Sequence, residues 1–272
     1  MPTTSKCSGV AVGEEAALSA DYTSDEMMTV TAARSLKDGQ VCFVGIGLPS
    51  EAANLARLSH APEVVLIYES GTIGTRPDIL PLSIGDGDLA ETADLVVGVP
   101  EIFAYWLQAG RIDVGFLSAA QIDRYGNLNS TVIGPYDLPD VRLPGAGGAP
   151  EIAANAGEVI VMLRQTPRSF VPAVDFVTSL GFGRHGEGRS GSQGAGPTLV
   201  ITDQGVLKPD TSTYELTLVA THPGVDVETV RAQTGWELRV ADTVEVTDPP
   251  ASEELGILRD LKERTRRAHS AG

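Results

Sequence analysis

Cysteine, histidine and basic residues are scarce in this sequence, and long apolar runs are missing. Among 272 residues there are two cysteines, Cys7 and Cys42, with no CxxC pair. They make no disulfide framework, so a reducing, cytoplasmic setting is expected. Four histidines, His60, His185, His222 and His269, are scattered without HxxxH or HxH spacing, and no metal site is expected. Lys and Arg number 20 against 36 Asp and Glu, a formal net charge of −16. That field repels a phosphate backbone, and no Lys/Arg stripe offsets it, which argues against nucleic acid as a partner. An anionic ligand must be held by local groups or by a partner chain. Apolar runs such as Val64–Tyr68 and Val159–Leu163 have strand length. A membrane-spanning helix needs roughly 20 residues, so no membrane association is expected. The first residues carry one lysine, no apolar core and early acids at Glu14 and Glu15, so a secretory leader is not expected.

What is present is enough apolar residue, 42% of the chain, for a sizeable core. Residues 1–22 are small and polar and read as a flexible tail. Thr23 and Glu26 have capping-box spacing, and Met27, Met28, Val30 and Leu36 then predict a helix that stops at Gly39. One layout recurs after that. Pro49 opens a helix over Ser50–Ser59, and Glu63–Tyr68 follows as a strand. Pro100 opens Glu101–Gln108, and Val114–Leu117 follows. Pro150 opens Glu151–Ala156, and Val159–Leu163 follows. Proline at the first helical position and glycine just past the end are matched helix signals. Strands apolar on every residue, between helices, predict an α/β fold with an open, mostly parallel sheet and helices on both faces. Further strands are predicted at Phe170–Thr178, Leu199–Thr202 and Tyr214–Thr221, and a helix at Asp226–Gln233. Gly181–Gly196 reads as a long flexible loop. The expected division is one α/β domain over 23–245 and a C-terminal helix in 246–272, its helical part Ser252–Ala268.

Four segments carry candidate chemistry. Gly45-Ile46-Gly47-Leu48-Pro49-Ser50 joins the strand Val41–Val44 to a helix. Glycines there let a ligand approach the backbone, or simply make a tight turn. It is no dinucleotide fingerprint, because Ser50 stands where the third glycine should be. Gly181-Phe182-Gly183-Arg184-His185-Gly186 spells GxGxxG but is followed by a stretch unable to start a helix. Glu69, in Tyr68-Glu69-Ser70-Gly71-Thr72-Ile73-Gly74, sits where a buried strand gives way to a glycine turn. Ligands of open α/β sheets bind at such strand ends. A carboxylate there is either functional or hydrogen-bonded to turn amides. Gly145-Ala146-Gly147-Gly148-Ala149-Pro150 opens another helix, and its N–H groups are either free for an oxyanion or part of a plain loop.

Taken in order, five stretches resemble the β subunit of the family I CoA-transferases. They are Gly45–Pro49, Tyr68–Gly74, Ala120–Asn129, Gly145–Ala149 and Thr221–Gly235. Many members read S-E-N-G where this chain has Tyr68-Glu69-Ser70-Gly71, and the Glu-Ser-Gly form looks like the glutaconate CoA-transferase branch. The resemblance implies the fold shared with sugar-phosphate isomerases. It implies Glu69 as nucleophile, with a glutamyl-CoA thioester formed in a ping-pong exchange. It further implies Gly147, Gly148 and Ala149 as an oxyanion hole, and Gly47, Leu48, Pro49, Gly71 and Gln121 near substrate or CoA. No tightly bound cofactor is implied; coenzyme A enters as a thioester substrate. The α half of the family is absent from this chain, so a heteromeric α-subunit partner is implied. Relatives of this fold also include hydrolases and decarboxylases, and a non-catalytic CoA or sugar-phosphate binding module is the remaining alternative.

Overall fold

The structure is a computed structural model in which residues 21–270 are described. Most of the expected tail, with Cys7, lies outside them. Helix α1 (Ser24–Ser35) begins with the predicted capping box: the Thr23 hydroxyl accepts from the Glu26 N–H, and the Glu26 carboxylate accepts from the Thr23 N–H. Strand β1 (Val41–Val44) leads through Gly45–Gly47 into α2 (Leu48–Leu58), and β2 (Val65–Tyr68) follows. A hairpin strand β3 (Thr72–Ile73), the short helix α3 (Gly87–Glu91) and β4 (Leu95–Val96) come next. The one-turn helix α4 (Val99–Glu101) runs into a π-helix, Ile102–Leu107, and then β5 (Val114–Leu117). Four two-residue strands, β6 (Gln121–Ile122), β7 (Leu128–Asn129), β8 (Val132–Ile133) and β9 (Val141–Arg142), precede α5 (Ala149–Asn155) and β10 (Glu158–Met162). The chain closes with β11 (Pro197–Ile201), β12 (Gly205–Pro209), β13 (Leu216–Thr221), α6 (Val227–Ala232), β14 (Arg239–Val246) and α7 (Ser252–Ser270).

Ten strands form one sheet in the order β14-β13-β12-β11-β10-β5-β1-β2-β3-β4. Its centre, β11-β10-β5-β1-β2, is parallel, as the all-apolar strands predict. Both flanks turn antiparallel, at β11-β12-β13 and at β2-β3-β4. Alternate residues of the central strands enter two separate cores. Phe43, Ile67, Val159 and Val161 pack with the π-helix, α5 and α6 on one face. Cys42, Val44, Leu66, Tyr68, Ile160 and Met162 pack with α1, α2 and Leu258 of α7 on the other. Each such side chain, fully buried, contributes about 1.5–3 kcal/mol relative to exposure.

Two expectations need correction, and two strands lie outside the sequence reading. Phe170–Thr178 is not a strand: only Phe170 bridges, to Ile122, and the segment otherwise wraps irregularly under β6 and β7. Its apolar residues reflect packing, with Phe170 stacked on Trp236 at 5.6 Å. The strands β12 and β14 do not follow from the sequence pattern, because each mixes apolar residues with charge at a sheet flank. The Gly181–Gly196 loop is anchored rather than loose. Arg189 donates to the carbonyls of Leu180, Gly181, Gly194 and Ala153, so its guanidinium is unavailable to a phosphate.

Two buried ionisable groups contribute to the acid response. The Arg259 guanidinium hydrogen-bonded to Glu26 holds that carboxyl down at about 2. Burial pushes His222 below its usual value while its ring nitrogens bond Thr247 Oγ1 and the Thr202 carbonyl, both at 2.8 Å. The unfolded chain takes the His222 proton first, so stability falls as pH drops below about 6.5. The Glu26 contribution is complete above about 4.5 and is lost only as pH falls from there toward 2. Thermal melts between pH 7 and 5.5 are expected to show falling Tm, with a slope of at most about 1.4 kcal/mol per pH unit for one proton. His222→Gln is expected to flatten that slope; an unchanged slope would assign it to other groups.

Candidate active site

Strand order reverses between β1 and β5: the chain goes from β1 outward to β2, and from β5 the other way to β10. Carboxyl ends of parallel strands at such a reversal leave a crevice. A cavity of about 220 Å³ lies there. Val44, Gly45 and Ile46 line it from β1, Glu69 from β2, and Phe116, Leu117 and Ser118 from β5. Ala146, Gly147, Gly148, Ala149 and Ile152 close it from α5 and its leading loop, with Pro49 and Ile84 at its sides. The walls are mostly apolar, and among these lining residues Glu69 is the one charged side chain.

Pleating explains how Glu69 gets there. Tyr68 points into the α1/α2 core and is fully buried, so the next residue points the opposite way. The Glu69 side chain is half-buried and faces the glycine loop. A Cβ placed at Gly148 would lie 3.1 Å from Glu69 Oε1 and 2.6 Å from the Phe103 ring. The carboxylate therefore rests directly against the Gly148 backbone, with Phe103 beside it. Gly71 makes the turn that ends this wall. Its φ is +106°, and any Cβ would overlap the Val97 carbonyl oxygen.

The expected site residues divide on this geometry. Glu69, Gly147, Gly148, Ala149 and Pro49 share the cavity. Gly147, at φ +48°, and Gly148, at φ −83°, form a turn whose two successive N–H groups have no acceptor among the described residues. Such paired N–H groups form an anion-binding concavity. The Ala149 N–H is already given to the Ala146 carbonyl at 3.0 Å, which removes it from the expected oxyanion donors. Gly47 caps α2 and Leu48 packs toward the core, so neither lines the cavity, whereas Gly45 and Ile46 do. Gln121 is also elsewhere. Its amide donates to Asp175 and accepts from Asn129, bracing the β6–β7 loop. Asp123, buried beside it with its carboxyl raised by desolvation, is satisfied by Asn127 and the Tyr125 N–H. Among the described residues, no cluster of His, Cys, Asp and Glu could hold a metal ion. No described helix is long and apolar enough to cross a membrane.

Phe103, Ile84 and Ser118 also border the site, and the sequence motifs do not include them. Ser118 follows the strand Val114–Leu117, so the strand-end rule could have found it. Phe103 could not be found that way. It sits in the π-helix, where the N–H groups of Gln108 and Arg111 bond five residues back, to Phe103 and Trp106. Sequence periodicity carries no signal for such an insertion.

The sequence model described as Coenzyme A transferase matches residues 25–233, which contain every wall of this cavity. The chain belongs to the coenzyme A transferase family. It is 58% identical over 250 residues to the β subunit of 3-oxoadipate CoA-transferase from Pseudomonas knackmussii, covering 91% of this chain and 96% of that one. It is 40% identical over 238 residues to the β subunit of glutaconate CoA-transferase from Acidaminococcus fermentans, covering 84% and 88%. The crystal structure of glutaconate coenzyme A-transferase from that organism superposes with a TM-score of 0.82 at 35% identity, covering 88% of this chain and 94% of that chain. These matches place the chain on the β side of the CoA-transferases. The likeness to the glutaconate branch holds. The 3-oxoadipate likeness is higher.

Proposed function

We propose that this chain is the β subunit of a heteromeric acyl-CoA:carboxylate CoA-transferase that works through Glu69. The observation that carries the reading is the Glu69 carboxylate set against the unpaired N–H groups of Gly147 and Gly148 in an apolar crevice. A Glu69 oxygen attacks the thioester carbonyl of an acyl-CoA and CoA thiolate leaves, giving a mixed anhydride. The thiolate then attacks the Glu69 carbonyl and expels the acyl group as a free carboxylate. Glu69 now carries CoA as a thioester. A second carboxylate attacks that carbonyl, the thiolate leaves and then attacks the new acyl carbon, and Glu69 is released unchanged. A thioester replaces a thioester, so the exchange is nearly isoenergetic and divides into accessible steps. Each step builds an oxyanion, and the Gly147/Gly148 turn is the donor this chain supplies for the one formed on Glu69. Coenzyme A is substrate in this scheme, with no resident cofactor required.

The substrates of the two relatives, glutaconate and 3-oxoadipate, are dicarboxylates, and we extend that class to this chain. No Lys, Arg or His lines the cavity, so the cation that meets the distal carboxylate belongs to the α subunit. Docking of that subunit also accounts for the exposed apolar residues Leu95 and Val96 on the edge strand β4, and for exposed Leu82, two positions before the cavity-lining Ile84. A cytoplasmic location fits the free, buried Cys42.

The test is mass spectrometry of the chain co-purified with its α partner, incubated with a panel of acyl-CoAs and trapped with hydroxylamine or borohydride. Modification of Glu69 that depends on acyl-CoA is expected, with dicarboxylic mono-CoA esters reacting fastest. Free acid and CoA produced beside an unmodified Glu69 would replace transfer by hydrolysis.

A further inference from the structure

Behind Glu69, on the side of β2 away from the cavity, lies a polar network inside an apolar core. The Tyr68 hydroxyl is 2.8 Å from Ser50 Oγ. Asn54 donates to the Ser50 carbonyl at 3.0 Å and reaches Ser50 Oγ at 3.4 Å and the Tyr68 hydroxyl at 3.5 Å. Arg57 Nε donates to Asn54 Oδ1 at 3.2 Å, and Arg57 Nη2 to the Pro77 carbonyl at 2.8 Å. Tyr68, Ser50 and Asn54 are all buried to 1% exposure or less. Burying three polar side chains is unfavourable unless each is paired, and an apolar trio would fill the same space without that demand.

The members of the network belong to three different walls of the cavity. Tyr68 precedes Glu69. Ser50 follows Pro49 and the Gly45–Ile46 turn. Pro77 starts the segment that brings Ile84 over the crevice. Each wall is otherwise a loop at a strand end. Backbone hydrogen bonds of the sheet fix Tyr68 relative to β1, through the Val44–Tyr68 pairing, but do not reach α2 or Pro77.

We propose that the Tyr68–Ser50–Asn54–Arg57 network is a positioning device for the transferase reaction, holding the Glu69 carboxylate in register with the opposing walls. Tyr68 and Ser50 touch no substrate and act through Glu69 and Pro49. This rests on the reading of Glu69 as nucleophile. Small displacements of a reacting group are costly: about 1 Å can lose on the order of 10²-fold in rate.

The experiment compares Tyr68→Phe, Ser50→Ala and the double variant, each as the complex with its α partner. Steady-state kinetics and the single-turnover rate of Glu69 modification are the readouts. Tyr68→Phe and Ser50→Ala are each expected to lower kcat and the modification rate by about tenfold, with the KM for acyl-CoA within twofold of wild type. The double variant is expected to be no slower than either single one, because both remove the same bond. Thr202→Val is the control: it removes a buried hydroxyl that donates to Gln165 and the Gly205 carbonyl and accepts from the Gln204 and Gly205 N–H groups, away from the residues that line the cavity, and is expected to lower Tm at least as much while leaving kcat unchanged. Kcat within twofold of wild type in both single variants, additive losses in the double variant, or an equal kcat loss in Thr202→Val would each overturn the proposal. A wild-type complex with no Glu69 adduct would instead remove the nucleophile reading, whatever the variants do.

Discussion

Replacing Glu69 with Ala is expected to lower CoA transfer by on the order of 10⁴-fold or more and to abolish covalent labelling of the chain. Losses of that size accompany removal of a covalent nucleophile, since the remaining groups can bind but not react. The fold is expected to survive, because the carboxylate faces the cavity and holds no part of the core together. Tm within a few degrees of wild type, alongside lost turnover, is the outcome to look for by circular dichroism and a coupled assay. Substantial transfer in Glu69→Ala would end the assignment. Glu69→Asp separates charge from placement. It keeps the carboxylate but withdraws it by one methylene from Gly148, and a drop on the order of 10²-fold is expected.

Gly148→Ala is expected to have the next largest effect. The new methyl would stand 2.6 Å from the Phe103 ring and 3.1 Å from Glu69 Oε1. Phe103 also packs against Phe43, with ring centroids 6.1 Å apart, which limits its retreat. The carboxylate, on the cavity side, is the group free to yield. A fall in kcat on the order of 10²-fold is therefore expected, with a stability loss of about 1–3 kcal/mol from overpacking. Kinetics and urea melts on the same preparation test both parts. Unchanged kcat would show that Glu69 works at a distance from the glycine turn.

The central strands were legible because both their faces are buried. Val41–Val44 and Val114–Leu117 are apolar at nearly every position and coincide with β1 and β5. Helix starts were legible from Thr23, Pro49 and Pro150, whose chemistry is local. The flanks were harder. In β14, Arg239, Asp242 and Glu245 interrupt any apolar run, since most of that edge strand is exposed to water. Glu69 and the glycine turn could be picked out as strand-end and loop residues. That Gly148 lies against Glu69 could not, because the two are joined by tertiary packing across 79 positions of chain. The loss of Ala149 as a donor was equally hidden, as it depends on one turn hydrogen bond to Ala146.

The π-helix at Ile102–Leu107 bears on how this crevice can diversify. A π-turn holds one residue more than the α-turn it interrupts. Removing a single residue there would return the ladder to ordinary spacing and turn the side chains on one side of the deletion by about 100°. Phe103 would then be exchanged for a neighbour above the glycine turn without any substitution. Chain length over these few residues, rather than residue identity alone, thus selects which group borders the carboxylate. A one-residue gain or loss in this segment is a short evolutionary route from one crevice shape to another, with the sheet and the nucleophile left in place.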